Sequence, residues 1–378
     1  MIAAELKSTP LHAFHERSGH MFEFAGYDMP VWYTSITDEH LAVRNGCGVF
    51  DVSHMGRIRV TGADAGRLLD RLLPTNILSQ SDAKAIYTIF LNERGGILDD
   101  LVVMKLSSDN YLAVVNAINT KADLKHVVEN SQGLDASIQD VTESSAMVAV
   151  QGPESQRVLQ PLVPLDLNEL KRFRCVETQV MGQRSLVSRT GYTGEDGFEV
   201  IVYDTSEVNP TSALAIWEKV VETAKPCGLG ARDSLRIEAG YPLYGAEIDA
   251  ETNPVEADLA WVVSAGKTSY LGHEAIAEAR GSTPARIRRG IVLERGIPRN
   301  GFEVLDNGTS QPVGKVTSGT FSPVLYKGIA MALIATERAE LGERIRVRVR
   351  DSAVEGRVVK PPFYDEKIYG WKRLNNGK

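Results

Sequence analysis

From Gly281 onward the chain abandons helical periodicity and becomes a series of short apolar runs separated by turns, which restricts that part to an all-β architecture. Gly281-Ser282-Thr283-Pro284 reads as a linker. Ile291-Val292-Leu293 and Phe302 to Leu305 follow as strands, then Asp306-Asn307-Gly308, a turn of the kind that closes hairpins. Val313 to Val316, Ile329 to Ile334, Ile345 to Val349 and Gly356 to Val359 complete the set. The spacing predicts a C-terminal β-barrel or sandwich over residues 281–378.

Residues 1–280 have a different texture. Gly56-Arg57-Ile58-Arg59-Val60 alternates polar and apolar residues, as a half-buried strand does. Leu68, Leu69, Leu72 and Leu73 form one helical stripe, which Pro74 ends. Leu101 to Met104, Tyr111 to Val115 and Phe198 to Val202 read as strands, the last preceding a helix around Ile216, Trp217, Val220 and Val221. This is mixed α+β with hairpins in place of regular βαβ crossovers. With 378 residues in all, more than one core is expected.

Composition removes several classes of function. A content of 43% hydrophobic and 24% charged residues is that of a globular protein. No apolar run is long enough for a membrane-spanning helix, and Met1 to Leu11 carries no secretory pattern. A net charge of −7 argues against a general nucleic-acid binder. Cys47, Cys175 and Cys227 are odd in number and far apart, which fits buried thiols in a reducing compartment.

No metal motif is present, and His12 and His15, though spaced for one helix face, read as a surface pair. Gly228-Leu229-Gly230-Ala231-Arg232-Asp233 lacks the third glycine of a dinucleotide loop. Four polar stretches remain. In Gly95-Gly96-Ile97-Leu98-Asp99-Asp100 a diglycine turn feeds a strand, so Asp99 and Asp100 point to opposite faces and only one can enter a given cavity. Read alone, both are ordinary turn-proximal aspartates. Ser188 to Glu199, SRTGYTGEDGFE, is either a glycine-rich hairpin with a solvated acidic tip or a site in which Glu199 accepts paired N–H donors. In GLGARDSLRIEAGYPLY, Gly228 to Tyr244, Arg232 and Arg236 share a helix face. They can clamp a ligand carboxylate or pair with local acids such as Asp233 and Glu238. In Asp51-Val52-Ser53-His54-Met55-Gly56, His54 reads as a satisfied core histidine before it reads as a general base. Arg344, Arg346, Arg348 and Arg350 make one basic strand face, either simply solvated or attractive to an acidic partner.

Together these stretches resemble the glycine cleavage T-protein family of aminomethyltransferases, nearly end to end. The likeness begins with Thr9-Pro10-Leu11-His12 and Phe24 to Pro30. It continues through Phe50 to Gly56, GGILDD, Gln151-Gly152-Pro153, SRTGYTGEDGFE and GLGARD, and closes with Asn253-Pro254 and Thr317 to Pro323. The resemblance implies two interleaved α+β lobes over residues 1–280 and a C-terminal antiparallel β-barrel over 281–378, around a central channel that takes tetrahydrofolate as cosubstrate. It implies transfer of the methylene of an aminomethyl group from lipoylated H-protein to tetrahydrofolate, with release of ammonia. Asp100 is then the catalytic carboxylate. Glu199 holds the pterin edge, Arg232 meets the folate tail, and Tyr87, Asn116, Tyr192, Met55 and Tyr241 line the channel. Lys372 or Arg373 would correspond to a basic residue near the folate tail. No metal, nucleic-acid or membrane partner is implied, and the location is cytoplasmic, or the mitochondrial matrix in a eukaryote.

Two alternatives share the fold: a tetrahydrofolate-dependent demethylase of another small methylated substrate, and a folate-binding module without catalysis. Against the module stands Lys267 to Glu274, where Ser269 occupies the place of that group's cysteine.

Overall fold

The computed structural model describes residues 5–374. The chain forms two compact units. One comprises Met1–Asp70, Ile77–Tyr87 and Leu101–Asp233, the other Arg71–Asn76, Thr88–Asp100 and Ser234–Lys378.

The first unit contains a six-stranded sheet in the order Cys175–Val180, Gln183–Ser188, Gly197–Tyr203, Ser145–Gln151, Gly48–Asp51, Lys225–Pro226. Its pairs are antiparallel except for the short final strand, which runs parallel to Gly48–Asp51. Every residue of Ser145–Gln151 and Gly197–Tyr203 is buried. The helix Thr211–Val221 covers the sheet with Ala213, Ile216, Trp217 and Val220, against Val148, Val150, Phe198, Val200 and Val202. Burial of each large side chain of this kind contributes about 1.5–3 kcal/mol. The helix expected around the leucine stripe is Ala65–Leu72, and Leu68, Leu69, Leu72 and Leu73 are all buried.

A five-stranded sheet runs in the order Lys84–Leu91, Ile97–Ser107, Asn110–Val115, Gly56–Thr61, Ser137–Asp140. The alternation expected of Gly56–Thr61 holds at Ile58 and Val60. It fails at Arg57, which is fully buried, for reasons given below.

In the second unit six antiparallel strands close into a barrel, in the order Arg286–Leu293, Lys327–Ala335, Pro312–Ser322, Glu303–Asp306, Arg344–Val349, Ser352–Val359. Pairing of Gly290–Leu293 with Gly356–Val359 completes the ring, so no strand edge is left open. Ile291, Leu293, Val304, Val316, Ala330, Ala332, Ile334, Ile345 and Val347 fill it. Ile345 and Val347 point inward, so the intervening arginines point out: Arg344 and Arg348 are exposed, and Arg348 pairs with Glu303 at 2.7 Å. Asp306 folds the hairpin loop, accepting from the backbone N–H groups of Gly308 and Thr309.

The hydroxyls of Thr317 to Ser322 bind the carboxylates of the preceding segment. Thr317 donates to Glu247 at 2.6 Å, and Ser322 donates to Glu238. Arg236 is buried between Glu247, at 2.6 Å, and Ser318 Oγ, at 2.7 Å. Of the two helix arginines, Arg236 thus has a structural ion pair, with Glu247. Among the described residues no helix is long and apolar enough to cross a membrane, and no group of His, Cys, Asp and Glu is arranged to hold a metal. The three cysteines are free and buried.

Candidate ligand-binding site

The Ser188–Glu199 stretch wraps around Gln151. The Gln151 amide donates to the Thr190 carbonyl at 3.1 Å, and its oxygen accepts from Thr193 Oγ1 at 2.9 Å. A Cβ on Gly191 would lie 1.9 Å from Gln151 Oε1, so a larger residue there would push Gln151 out of these hydrogen bonds. The acidic tip is not solvated. Glu195 is buried and pairs with Arg44 at 3.0 Å, while Asp196 holds Arg189 at 2.5 Å. A buried carboxylate requires such a partner, which places this stretch in the interior.

This packing presents Glu199 from a central strand. Ser188 sits across from it on the neighbouring strand, and a hydroxyl relay runs from Ser188 through Thr190, which donates to Glu199 Oε2. Burial raises the Glu199 pKa, opposed by the Thr190 hydrogen bond and by the charge of Arg232. The Arg232 guanidinium lies over the Tyr192 ring, 4.8 Å from its centroid. Its Nη1 is buried with no hydrogen-bond partner among the described residues. Burial lowers its pKa, and Glu199 and Tyr192 pull it back up. A carboxylate, a guanidinium and an aromatic face are thus assembled in one interior cluster, with polar capacity that this chain leaves unused at Arg232.

His54 belongs to the same electrostatic cluster. It is only 2% exposed, and Nδ1 has no partner among the described residues, so it is not the satisfied core histidine expected. Phe24 and Tyr27 meet its ring edge-on, at 5.6 and 6.3 Å between centroids, and offer it no hydrogen bond. Burial, then the charge of Arg232, holds the imidazole neutral, with its pKa pushed down to about 3. A depressed histidine means that the unfolded chain binds the proton first. Stability is therefore expected to fall as pH drops from 6.5 toward 3, by up to about 4 kcal/mol. Thermal denaturation of the wild type and of His54→Phe across that window checks this, the variant losing the dependence.

The turn that carries His54 is held from below. Arg57 is fully buried and donates to the carbonyls of Ser53, at 2.6 Å, and Met55, one on each side of His54. Its remaining donors go to the carbonyls of Thr142 and Ser145 and to Ser145 Oγ. Asp51 accepts from Ser53 N at 2.8 Å, Thr9 Oγ1 at 2.6 Å and His15 Nε2 at 2.9 Å. Burial works against the charged Asp51, but these bonds overcome it and hold its pKa down at about 2. His15 Nδ1 in turn meets the Tyr33 hydroxyl at 2.7 Å. His15 is therefore no surface residue. It is completely buried, bonded to Asp51 and Tyr33 and edge-on to Trp217, while His12 lies nearer the surface on Asp28.

The diglycine turn feeds the strand Ile97–Ser107 as expected. A Cβ on Gly96 would lie 1.8 Å from the Ala250 carbonyl oxygen. Asp99 is buried and Asp100 partly exposed, on opposite faces. Of the other expected ligand contacts, Met55 follows His54, and the Gly56–Val115 pairing sets Asn116 at the same end of its sheet. Tyr87 is partly exposed on Lys84–Leu91, and Tyr241 partly exposed after the helix Leu229–Ala239. The first unit thus brings Glu199, Arg232, Tyr192 and His54 together, with Met55 beside His54, whereas Asp100 and Tyr241 belong to the second unit. Lys372 pairs with Glu366 at 2.9 Å, and Arg373 donates to the Gly370 carbonyl. Arg57, Gln151, Asp51 and His15 were not singled out from sequence as parts of the site. Asp51 and Gln151 stand only within the quoted stretches, while Arg57 reads as a half-buried strand residue and His15 as one of a surface pair.

Fold and cluster define a class: a mixed α+β chain completed by a closed six-stranded barrel, with a buried carboxylate and guanidinium against a tyrosine. Family models place it further. The GCVT N-terminal domain matches residues 11–267, and the glycine cleavage T-protein C-terminal barrel domain matches residues 286–365. The chain belongs to the glycine cleavage T-protein family. It is 41% identical to the aminomethyltransferase of Halothermothrix orenii over 365 residues, covering 95% of this chain and 100% of the relative. It is 40% identical to that of Bacillus subtilis, covering 95% and 99%. The crystal structure of the glycine cleavage system aminomethyltransferase T from Bartonella henselae superposes with a TM-score of 0.90 at 33% identity, covering 97% of this chain and all of that one.

Proposed function

We propose that this chain is the aminomethyltransferase of a glycine cleavage system, with tetrahydrofolate as acceptor and lipoylated H-protein as donor. The observation that carries the reading is likeness over the full length of relatives that bear that name, in a chain that carries GGILDD, SRTGYTGEDGFE and GLGARD. The carbon–sulfur and carbon–nitrogen bonds of the aminomethyl group break, and two bonds form from its carbon to folate nitrogens. Ammonia and the free dihydrolipoyl thiol leave.

Glu199 is the group for the pterin edge, since a carboxylate accepts two N–H donors side by side. Arg232 serves the folate's acidic tail, with Tyr192, Met55, Asn116, Tyr87 and Tyr241 as contacts to its rings. Asp100 is the carboxylate that orients the attacking nitrogen, takes up a proton and steadies an iminium-like cation. The test uses purified protein, tetrahydrofolate and aminomethyl-loaded H-protein. Ammonia and methylenetetrahydrofolate are expected in equal amounts, and their absence would defeat the assignment. The same assay with other methylated donors detects a demethylase.

A further inference from the structure

We propose that His54 contacts the bound folate through Nδ1, as a neutral hydrogen-bonding partner for an amide-type group of the ligand. The inference rests on the folate reading and adds a residue to it. Three features carry it. First, Nδ1 is buried and has no partner among the described residues, and a folded chain rarely leaves such an atom unpaired without a use for it. Phenylalanine would serve the fold better, because the ring's neighbours Phe24 and Tyr27 meet it only edge-on.

Second, the ring is fixed in advance. The carbonyls before and after His54 are both held by Arg57, and the Ser53 amide is held by Asp51. A turn tied down on both sides of an unpaired side chain is the arrangement that preorganised recognition calls for. Third, Arg232 Nη1 is likewise buried and unpartnered, and its charge bears directly on His54. Two unused polar atoms in one interior cluster point to a shared occupant. Because the imidazole stays neutral, it suits a lactam or amide, and Arg232 remains the group for an anionic one.

The test titrates tetrahydrofolate, followed by calorimetry, into the full-length wild type, His54→Phe and His54→Gln. His54→Phe is expected to weaken binding by about 10-fold with its melting temperature retained. His54→Gln, which keeps a neutral hydrogen-bonding group, is expected to recover part of the loss. In the wild type, the ¹⁵N resonance of His54 Nδ1 is expected to shift when tetrahydrofolate is added, a readout that needs no variant to fold. Wild-type affinity in His54→Phe, or an unmoved Nδ1 resonance at saturation, overturns the inference while leaving the folate reading intact. A wild type that binds no tetrahydrofolate overturns the folate reading itself, and the wild-type titration alone separates the two cases.

Discussion

Asp100→Asn is expected to lower turnover by about 10²–10⁴-fold while the protein remains folded, and Asp99→Asn is expected to do the reverse. The two carboxylates are neighbours in one strand and face opposite ways. Asp99 is fully buried, whereas Asp100 retains exposure. A buried carboxylate depends on its surroundings for every hydrogen bond, so making it an amide should cost about 1–3 kcal/mol of stability. Asp100→Asn keeps the size of the side chain, but the amide can no longer take up a proton or oppose a developing cation. Single-turnover rates and thermal denaturation of both variants separate the roles. If turnover vanished only in Asp99→Asn, with its fold intact, the carboxylate would be misassigned.

The second large effect is expected at Arg57. Arg57→Met leaves four backbone carbonyls and one hydroxyl in the interior without their donor. Each unsatisfied group costs about 1–3 kcal/mol, and even with relaxation the loss should reach about 3 kcal/mol or more. Arg57→Lys should recover little, because three donors on one ammonium cannot span acceptors that a planar fork reaches. Urea denaturation of both variants measures the loss. Tetrahydrofolate affinity should fall with it, since the turn carrying His54 and Met55 loses its anchor. A folded Arg57→Met of wild-type stability would show that water replaces the guanidinium there.

Much of this was legible in the chain itself, and the reason differs from place to place. The barrel was readable because its strands are short, alternate cleanly and end in turn residues, so local pattern and tertiary role agree. The opposed faces of Asp99 and Asp100 followed from strand geometry alone. Arg57 was misread for the converse reason. Its neighbours alternate as a half-buried strand, and nothing local says that its acceptors come from Thr142 and Ser145, more than eighty residues away. His15 failed in the same manner, because Asp51 and Tyr33, not its helix, decide its burial. Glu195 looked like a solvated tip until Arg44, 151 positions earlier, appeared beside it. Polar residues whose partners are remote in sequence are the ones that local periodicity cannot place. In this chain they surround the candidate site.

The cage around Arg57 has an electrical side as well. Its acceptors are four carbonyls and one hydroxyl, with no carboxylate among them, so dipoles hold the cation, and the charges of Asp51 and Asp140 act on it from beyond that shell. Field lines from a charge in a poorly polarisable interior reach beyond its hydrogen-bonded neighbours, and dissolved salt barely damps them. The His54 ring already registers that field, as one of the influences that keep it from taking a proton. The residue that fastens the turn thereby also adds to the positive potential that Arg232 lays on the imidazole, against the opposing pull of Asp51.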